Sequence, residues 1–593
     1  MKSFICKLLI FFMALLLSNT EQLYAQTSKG LLIKGKTISS TIGAEESHRY
    51  ILNMAQSQFG YLSLMQSGVD VKVTTYDPQG KKMDEFDGPN GDSGPEFVKI
   101  ISQQKGNYII ELTSLGQHDP QGNYRLTLCI QRPKAVTPTA RVDELFSPWD
   151  NNTSPGGAVA VVKAGKITYK KGYGLANLEY GIPVTPATPF HIASVSKQFT
   201  MFAVMLLAEQ GKLSLEDDIR KYLPEVPDFG TKITLRRLAN HTSGIRDQVN
   251  LMTMAGYNVE DMVNNTHILQ LISKQKELNF APGEEYLYSN TGYTLLAEVV
   301  ARVSGKSFPA FTKACIFSPL NMSSTFFNDK AETVIPGMAY SYTSTVEGFR
   351  KNLLNNANVG STGLISTVED LSLWTKNLIN PKIGNEVLFK KMTTLDTLSN
   401  GKTYGYGLGM GVGDYKGLRE ISHAGGIAGY KAFITVFPDQ DFSVIVLNNA
   451  AELDPRLIAR QIADIYLEDQ FPSQAAAASP REKPALTTTS AGQTQTPFDK
   501  TKVDLSIYTG RFFSEELATF YDFKLIDGKL IGQHLRSADF EIKPDKADEF
   551  SAGPWLYGQI KFLRNDTGNI AGCTISFNRT RNLHFNKIEL PAE

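Results

Sequence analysis

From residue 469 to residue 500 the chain reads DQFPSQAAAASPREKPALTTTSAGQTQTPFDK. No apolar residue recurs there with a period of two or 3.6, and Ala, Ser, Thr, Pro and Gln dominate. Such a stretch has nothing to bury and predicts a linker. It divides a chain of 593 residues that is too long for one hydrophobic core; at roughly 100–200 residues per domain, three or four domains are expected.

The segments on either side of that linker differ in hydrophobic period, which sets the fold expected of each. Residues 26–135 carry short alternating runs (YILNMAQ, GYLSLMQ, VDVKVTTY, GNYIIEL, NYRLTLCI) separated by turn clusters such as DPQG and DGPNGDSG. This predicts a small all-β sandwich without a catalytic group. Residues 140–468 mix helical and strand patterns. GGAVAVVKAGKITYKKGYG predicts a hairpin turning at AGK, KQFTMFAVMLLAEQGKL an apolar helix ending at Gly211, and KAFITVFPDQDFSVIVLNN two strands joined at PDQD. Hairpins at both ends with helices between them predict an α/β layered domain whose terminal strands share one sheet. Residues 501–593 return to short alternating strands, with a DG turn signal at IDGKL, and predict a small β-barrel or sandwich.

Residues 1–25 have the order of a secretory signal: Lys2 and Lys7, an apolar run from Leu8 to Leu17, and a small residue, Ala25, at the cleavage position. An apolar run of ten is too short to cross a bilayer, which needs about 20 residues. The expectation is an exported protein, periplasmic or secreted, with no transmembrane segment after signal removal. Lys plus Arg equal Asp plus Glu at 60 each, so no overall field draws in nucleic acid, which is not an expected partner. Cys129, Cys315 and Cys573 remain in the mature chain, scattered, and are expected as buried thiols rather than a disulfide framework. The eight histidines show no HxH or HExxH spacing, so neither a metal nor another cofactor is expected.

HIASVSK places Ser194 and Lys197 three residues apart at the start of the apolar helix. On a helix these positions share a face, so an amine can reach a hydroxyl and take its proton. The spacing alone decides little, because it also occurs at Ser102–Lys105, Ser273–Lys276 and Ser399–Lys402. Two further motifs single out the second copy. Tyr288-Ser289-Asn290 is the only Tyr-x-Asn, and it directly precedes a helical pattern. A tyrosine beside a lysine ammonium can have its pKa lowered and act as base or proton shuttle. His423-Ala424-Gly425, followed by Gly426, is the only His-x-Gly and opens the last hairpin. Glycines there allow close backbone approach and offer a free N–H. His191, His241 and Trp374 read as capping, turn and core residues.

With these motifs in this order, residues 140–468 resemble the serine β-lactamase-related hydrolases: class C β-lactamases, D-alanyl-D-alanine carboxypeptidases, D-aminopeptidases and related esterases. The flanks match too, in FHIASVSKQFT, ITLRRLANHTSGI, FAPGEEYLYSNTGYTLL, GSTGLISTVEDLSLW, YGYGLGM and HAGGIAGYKAFITVFPDQDFSVIVLNN. The resemblance implies a β-lactamase/transpeptidase-like fold, an antiparallel sheet with helices plus an inserted helical region. It implies Ser194 as nucleophile, Lys197 as its proton acceptor or relay, Tyr288 as second-motif base that protonates the leaving group, and Asn290 as holder of Lys197 and the substrate carbonyl. The oxyanion would lie between the N–H groups of Ser194 and Gly426, with Gly425 beside them. ESHRYILNM, VDVKVTTYDPQGKKM and KGNYIIELTS…GNYRLTL resemble, in addition, the pre-peptidase C-terminal type of β-sandwich, which implies an accessory role for residues 26–135.

The third motif departs from the class C pattern, which resembles Lys-Thr-Gly there. A histidine with a pKa near 6.5 is mostly neutral at pH 7.5, although it can still donate a hydrogen bond to Tyr288 or to substrate. Efficient β-lactam hydrolysis is therefore placed in doubt. The expected activity is cleavage of a small ester or a short, D-residue-containing peptide through an acyl-enzyme, with cell-wall peptide among the candidate partners. The alternatives are a β-lactamase and a non-catalytic penicillin-binding or wall-binding protein.

Overall fold

The structure is a computed structural model that describes residues 25–88, 90–115, 121–472, 500, 503–553 and 558–589. The signal segment expected at 1–25, apart from its last residue, and the linker expected at 469–500, apart from its ends, lie outside the described residues. Among the described residues no helix is long and apolar enough to cross a membrane.

The alternation in the first segment becomes strand structure. Along Glu46–Met54, Tyr50, Leu52 and Met54 turn inward while Ile51 and Asn53 face solvent, as a two-residue side-chain period requires. Nine strands between residues 25 and 133 form a five-stranded and a four-stranded sheet. Their inner faces meet in one core, Tyr50, Val73 and Ile110 from the first sheet and Leu62, Leu64 and Leu126 from the second. This sandwich belongs to a compact unit of residues 1–154, 342–351 and 450–452.

A second compact unit contains residues 155–341, 352–449 and 453–593. Its central sheet has six antiparallel strands, β1 (Gly157–Lys163), β2 (Lys166–Tyr173), β3 (Gly411–Tyr415), β4 (Leu418–Ile427), β5 (Tyr430–Phe437) and β6 (Phe442–Asn448), in the order β2-β1-β6-β5-β4-β3. First and last strands lie side by side, with Gly157 opposite Asn448. The segment KQFTMFAVMLLAE becomes most of helix α1 (Ser196–Glu209), which is buried almost all round. Such a helix must sit inside the domain rather than on its surface. It packs against helix α3 (Asn290–Ser304), which brings the Ser-x-x-Lys and Tyr-x-Asn segments together. Helix α1 starts two residues after Ser194, because Ala193–Val195 form a tighter 3-10 turn and Ala193 has φ 48°.

The C-terminal segment is a closed barrel of eight strands, β7 (Gly510–Ser514), β8 (Thr519–Ile526), β9 (Lys529–His534), β10 (Ser537–Lys546), β11 (Glu549–Ala552), β12 (Gly558–Arg564), β13 (Ile570–Phe577) and β14 (Thr580–Ile588). Pairing of β7 with β14 removes the last free edge. The aromatic interior (Phe512, Tyr521, Phe523, Phe562, Phe585) continues into Leu251 and Met254 of helix α2 (Gln248–Met254). The Tyr521 hydroxyl donates to the Met254 carbonyl at 2.8 Å. Barrel and sheet domain are therefore joined through shared core. Cys573 is buried in that barrel, whereas Cys129 and Cys315 are only partly buried. The expectation of three buried thiols is corrected: Cys129 is a half-buried residue of a sandwich strand, and Cys315 packs half-buried against the helical core.

Candidate active site

Local structure brings Ser194, Lys197, Tyr288, Asn290, Gly425 and Gly426 to one place, with His423 behind them. Lys197 is fully buried, and its Nζ lies 3.1 Å from Ser194 Oγ, 2.8 Å from Asn290 Oδ1 and 2.8 Å from the Ser361 carbonyl. Two of these partners are pure acceptors and must take N–H donors. A neutral amine has two N–H groups and one lone pair. Donating to Asn290 and Ser361 leaves the lone pair directed at the Ser194 hydroxyl. Burial holds Lys197 well below its ordinary 10.5, with Asp247 opposing that shift and Arg579 adding to it. The rings of Tyr288 and Tyr293, 4.9 and 5.5 Å from Nζ, would favour an ammonium by about 1–2 kcal/mol, but desolvation of a fully buried charge is the larger effect.

Tyr288 is pushed above 10 by burial, and the Ser194 hydroxyl beside it pulls only partly the other way. The expectation that a lysine ammonium lowers this tyrosine is corrected. The same burial that raises the phenol lowers the lysine, and for Tyr288 it outweighs the opposite pull of the Arg579 guanidinium. With the lysine held low and the tyrosine held high, burial biases the pair towards amine and phenol, which together can accept one proton and deliver another.

His423 is buried, and burial brings its pKa down to about 3. Its Nδ1 lies 2.6 Å from its neighbour's carbonyl, that of Ala424, and its Nε2 2.9 Å from the Tyr406 hydroxyl. A carbonyl can only accept, so Nδ1 carries the proton and Nε2 accepts from Tyr406. The histidine therefore has no open donor for Tyr288 or a substrate, which corrects the sequence expectation: Tyr406 of YGYGLGM has taken that position. Tyr406 also lies against His241, 4.7 Å between ring centres. His241 is the expected turn residue, at φ 61° with Nδ1 accepting from the Ser289 N–H at 3.1 Å. Its Nε2 is buried without a partner, and its ring lies 4.2 Å from that of Tyr288. His191 caps the nucleophile turn, with Nδ1 accepting from the Ala193 N–H at 3.1 Å. The indole of Trp374 is core, donating to Gln198 Oε1 at 2.8 Å.

Gly425 lies in β4 against the turn that carries Ser194. A Cβ added there would stand 2.2 Å from the Ile192 carbonyl oxygen and 3.1 Å from the Ser194 nitrogen. Only glycine fits such an approach. At Gly426 a Cβ would meet nothing within 4 Å, and this residue lines a cavity of about 370 Å³ together with Ser194, Tyr288 and Asn290.

Two charged residues in this arrangement carried no role in the sequence reading. Asp247 caps helix α2 by accepting from Val249 N and Asn250 N through Oδ1, at 3.0 and 3.3 Å. Its Oδ2 takes both the backbone and the side-chain N–H of Asn290, at 2.6 and 3.0 Å. The second residue, Arg579, comes from the barrel and donates Nη2 to Asp247 Oδ1 at 3.1 Å. An unbroken chain of polar contacts thus runs from Arg579 through Asp247, Asn290 and Lys197 to Ser194. An aspartate just before a helix is a readable capping signal. Arg579, more than 300 positions away, leaves no local signal.

Among the described residues no cluster of three or more His, Cys, Asp or Glu is placed to hold a metal ion.

Residues 142–467 match the family model described as Beta-lactamase. A D-aminopeptidase of Gluconobacter oxydans is 29% identical over 297 residues, which is 50% of this chain and 56% of that protein. Penicillin-binding protein 4* of Bacillus subtilis is 31% identical over 316 residues, 50% of this chain and 68% of that protein. The match thus spans less than two thirds of the D-aminopeptidase's length. Among solved structures, the octameric penicillin-binding protein homologue from Pyrococcus abyssi is 24% identical with a TM-score of 0.48, covering 73% of this chain and 96% of its own.

Proposed function

This chain belongs to the beta-lactamase family of serine hydrolases, and from that premise we propose that it is an exported hydrolase that cleaves esters or short peptides, D-residue peptides among them, through an acyl-enzyme on Ser194. The observation that carries the reading is the placement of Lys197. Its Nζ lies 3.1 Å from Ser194 Oγ and is held by Asn290 Oδ1 and the Ser361 carbonyl at 2.8 Å each, so that the neutral amine, which burial favours, directs its lone pair at the serine proton. Ser194 Oγ attacks the substrate carbonyl as its proton passes to Lys197 Nζ. The backbone N–H groups of Ser194 and Gly426 receive the oxyanion, an interaction whose loss typically costs about 10²–10³ in rate. When the tetrahedral intermediate collapses, the bond to the leaving group breaks and Tyr288 supplies the leaving group's proton. The ammonium of Lys197 returns its proton to the Tyr288 phenolate, so that both groups regain their starting states. Water then repeats the sequence on the ester, with the leaving group now Ser194 itself. The relatives, a D-aminopeptidase among them, support a peptide substrate with a D-residue.

The test uses purified chain from residue 26 onward, a fluorophosphonate probe, p-nitrophenyl esters, D-alanyl peptides and nitrocefin. Wild type is expected to label and to hydrolyse esters, with Ser194→Ala losing on the order of 10⁴–10⁶ in kcat. Equal turnover by Ser194→Ala would overturn the assignment. Absence of any turnover in wild type would favour a binding protein, and rapid nitrocefin hydrolysis a β-lactamase.

A further inference from the structure

The third motif leaves the cavity without the fixed positive charge that a lysine would supply, since His423 is neutral and its donors are occupied. A cation reaches the cavity from the other side. Arg579 stands in the turn between β13 and β14, next to Asn578 at φ 51°, and it lines the same cavity as Ser194, Tyr288 and Asn290.

Its backbone is fixed on the sheet domain. The Arg579 carbonyl accepts from Asn279 Nδ2 at 2.9 Å, and its N–H points to Asn250 Oδ1 at 3.3 Å. Two residues on, Arg581 donates its N–H to Asn279 Oδ1 at 2.8 Å. The guanidinium is held by Nη2 on Asp247 Oδ1 at 3.1 Å and lies over the ring of Tyr288, 5.5 Å from its centre. Among the described residues no acceptor meets Nη1, and the side chain is 24% exposed while that of Asp247 is 0% exposed.

The pair Arg579–Asp247 is neutral as a whole but polarised. The carboxylate is sealed behind five N–H donors, three from the backbone of Val249, Asn250 and Asn290, one from the Asn290 side chain and one from Arg579 itself. What the cavity meets is the guanidinium. The other charged group on its lining, Asp261, gives both oxygens to Arg536 at 2.7 and 2.9 Å. Asp247 is sealed and Asp261, though 24% exposed, has its charge met by Arg536, whereas an entering carboxylate finds in Arg579 the planar donor edge that suits it.

We propose that Arg579, delivered by the barrel, is a specificity-determining residue that binds a carboxylate of the substrate through Nη1, so that the active site takes carboxylate-bearing esters or peptides in preference to substrates with a free amine. The proposal rests on the acyl-enzyme reading above and names the substrate class for that site. It also gives the barrel a function: a loop of the barrel completes the substrate pocket.

The experiment compares kcat/KM across matched substrates. In one arm D-alanine p-nitroanilide carries a free ammonium, an N-acetyl group or an N-succinyl group. In the other, acetyl-D-alanyl-D-alanine is compared with its C-terminal amide. The two arms distinguish a carboxylate on the acyl side from one on the leaving group. Wild type is expected to prefer the carboxylate form about 10- to 100-fold over the neutral one in one arm, the range of a charge-assisted hydrogen bond. The free-amine substrate should be the poorest. In Arg579→Gln that ratio should fall towards one, and Arg579→Lys should restore part of it. A ratio unchanged in Arg579→Gln in both arms overturns the proposal. If Arg579→Gln does not fold, wild type decides: no preference for carboxylate over amide or ammonium in either arm overturns it. Turnover of neutral esters that depends on Ser194 but ignores substrate charge defeats this inference alone, while turnover independent of Ser194 defeats the acyl-enzyme reading beneath it.

Discussion

Gly425 and Gly426 are chemically identical neighbours, and their geometry predicts opposite responses to one added methyl group. At Gly425 the new Cβ would be 2.2 Å from the Ile192 carbonyl oxygen and 3.1 Å from the Ser194 nitrogen. Both obstacles are backbone, so no side chain can swing away. An ordinary contact at that oxygen needs more than about 3 Å, and the strand and the nucleophile turn must therefore separate by close to 1 Å. A 1 Å misplacement of reacting groups costs about 10²-fold in rate, and overpacking of this kind about 1–3 kcal/mol in stability. At Gly426 the same methyl meets nothing within 4 Å. The assay is the second-order rate of fluorophosphonate labelling, read beside ester kcat/KM and thermal unfolding of each variant. Gly425→Ala should label about 100-fold more slowly than wild type. Gly426→Ala should label within a few-fold of wild type, and its Tm should be unchanged. Wild-type labelling by Gly425→Ala, or a larger loss in Gly426→Ala, would refute the idea that β4 clamps the serine turn.

Two further outcomes follow from the buried charges. Catalysis needs the neutral amine of Lys197, whose pKa burial depresses, so kcat/KM should rise with pH through that depressed pKa and then hold level, and a profile governed by an ordinary lysine near 10.5 would contradict it. His191 and His423, brought to about 4 and about 3, stay neutral across pH 6–8, so no inflection near 6.5 is expected, and His423→Gln should leave the shape of the profile unchanged. Arg246 is completely buried and pairs with Glu516 of the barrel at 2.6 Å, a carboxylate 1% exposed. Removing the cation in Arg246→Leu strands that carboxylate, which typically costs about 3–5 kcal/mol; the variant should lose barrel docking first, seen as early proteolysis of the C-terminal segment in a time course, and intact chain at wild-type rates would refute it.

Much of the fold was legible because its signals are local. Period-two alternation placed the sandwich strands, and Asp527-Gly528, at φ 50° and 75°, turns the IDGKL hairpin as the DG pair predicts. The clustering of Ser194, Lys197, Tyr288 and Asn290 was legible because the unique Tyr-x-Asn and His-x-Gly follow one of four Ser-x-x-Lys copies in a recognisable order. What stayed hidden depends on distance in sequence or on burial. The contact between Arg579 and Asp247 joins positions 332 apart, and no spacing encodes it. The direction of the Tyr288 shift was misjudged for a different reason: spacing says which groups meet, but only the packed interior says how little water reaches them. Closure of the eight strands into a barrel rather than a sandwich depends likewise on the pairing of β7 with β14 at opposite ends of the segment.

The neutral third motif and the barrel arginine bear on each other through the same lysine. Lys197 can act as base only while it is unprotonated, and any cation nearby helps keep it so; Arg579 does this in addition to burial. A protonated group at position 423 would do it too, since the charge of Lys197 already lowers His423. A permanent ammonium at that buried position would, however, have to be desolvated with only the Ala424 carbonyl and the Tyr406 hydroxyl as partners, and unpaired buried charge is among the most costly arrangements a fold can hold. At Arg579 the cation is paired with Asp247 and still a quarter exposed, so most of that cost is avoided. Moving the positive charge from the strand to the barrel thus keeps the electrostatic pressure on Lys197 while placing the donor on a separate structural element. It follows that the charge preference for substrate and the basicity of Lys197 are coupled through one residue: Arg579→Gln should weaken carboxylate selection and, with the sign fixed by loss of a neighbouring cation, move the rise of kcat/KM to higher pH.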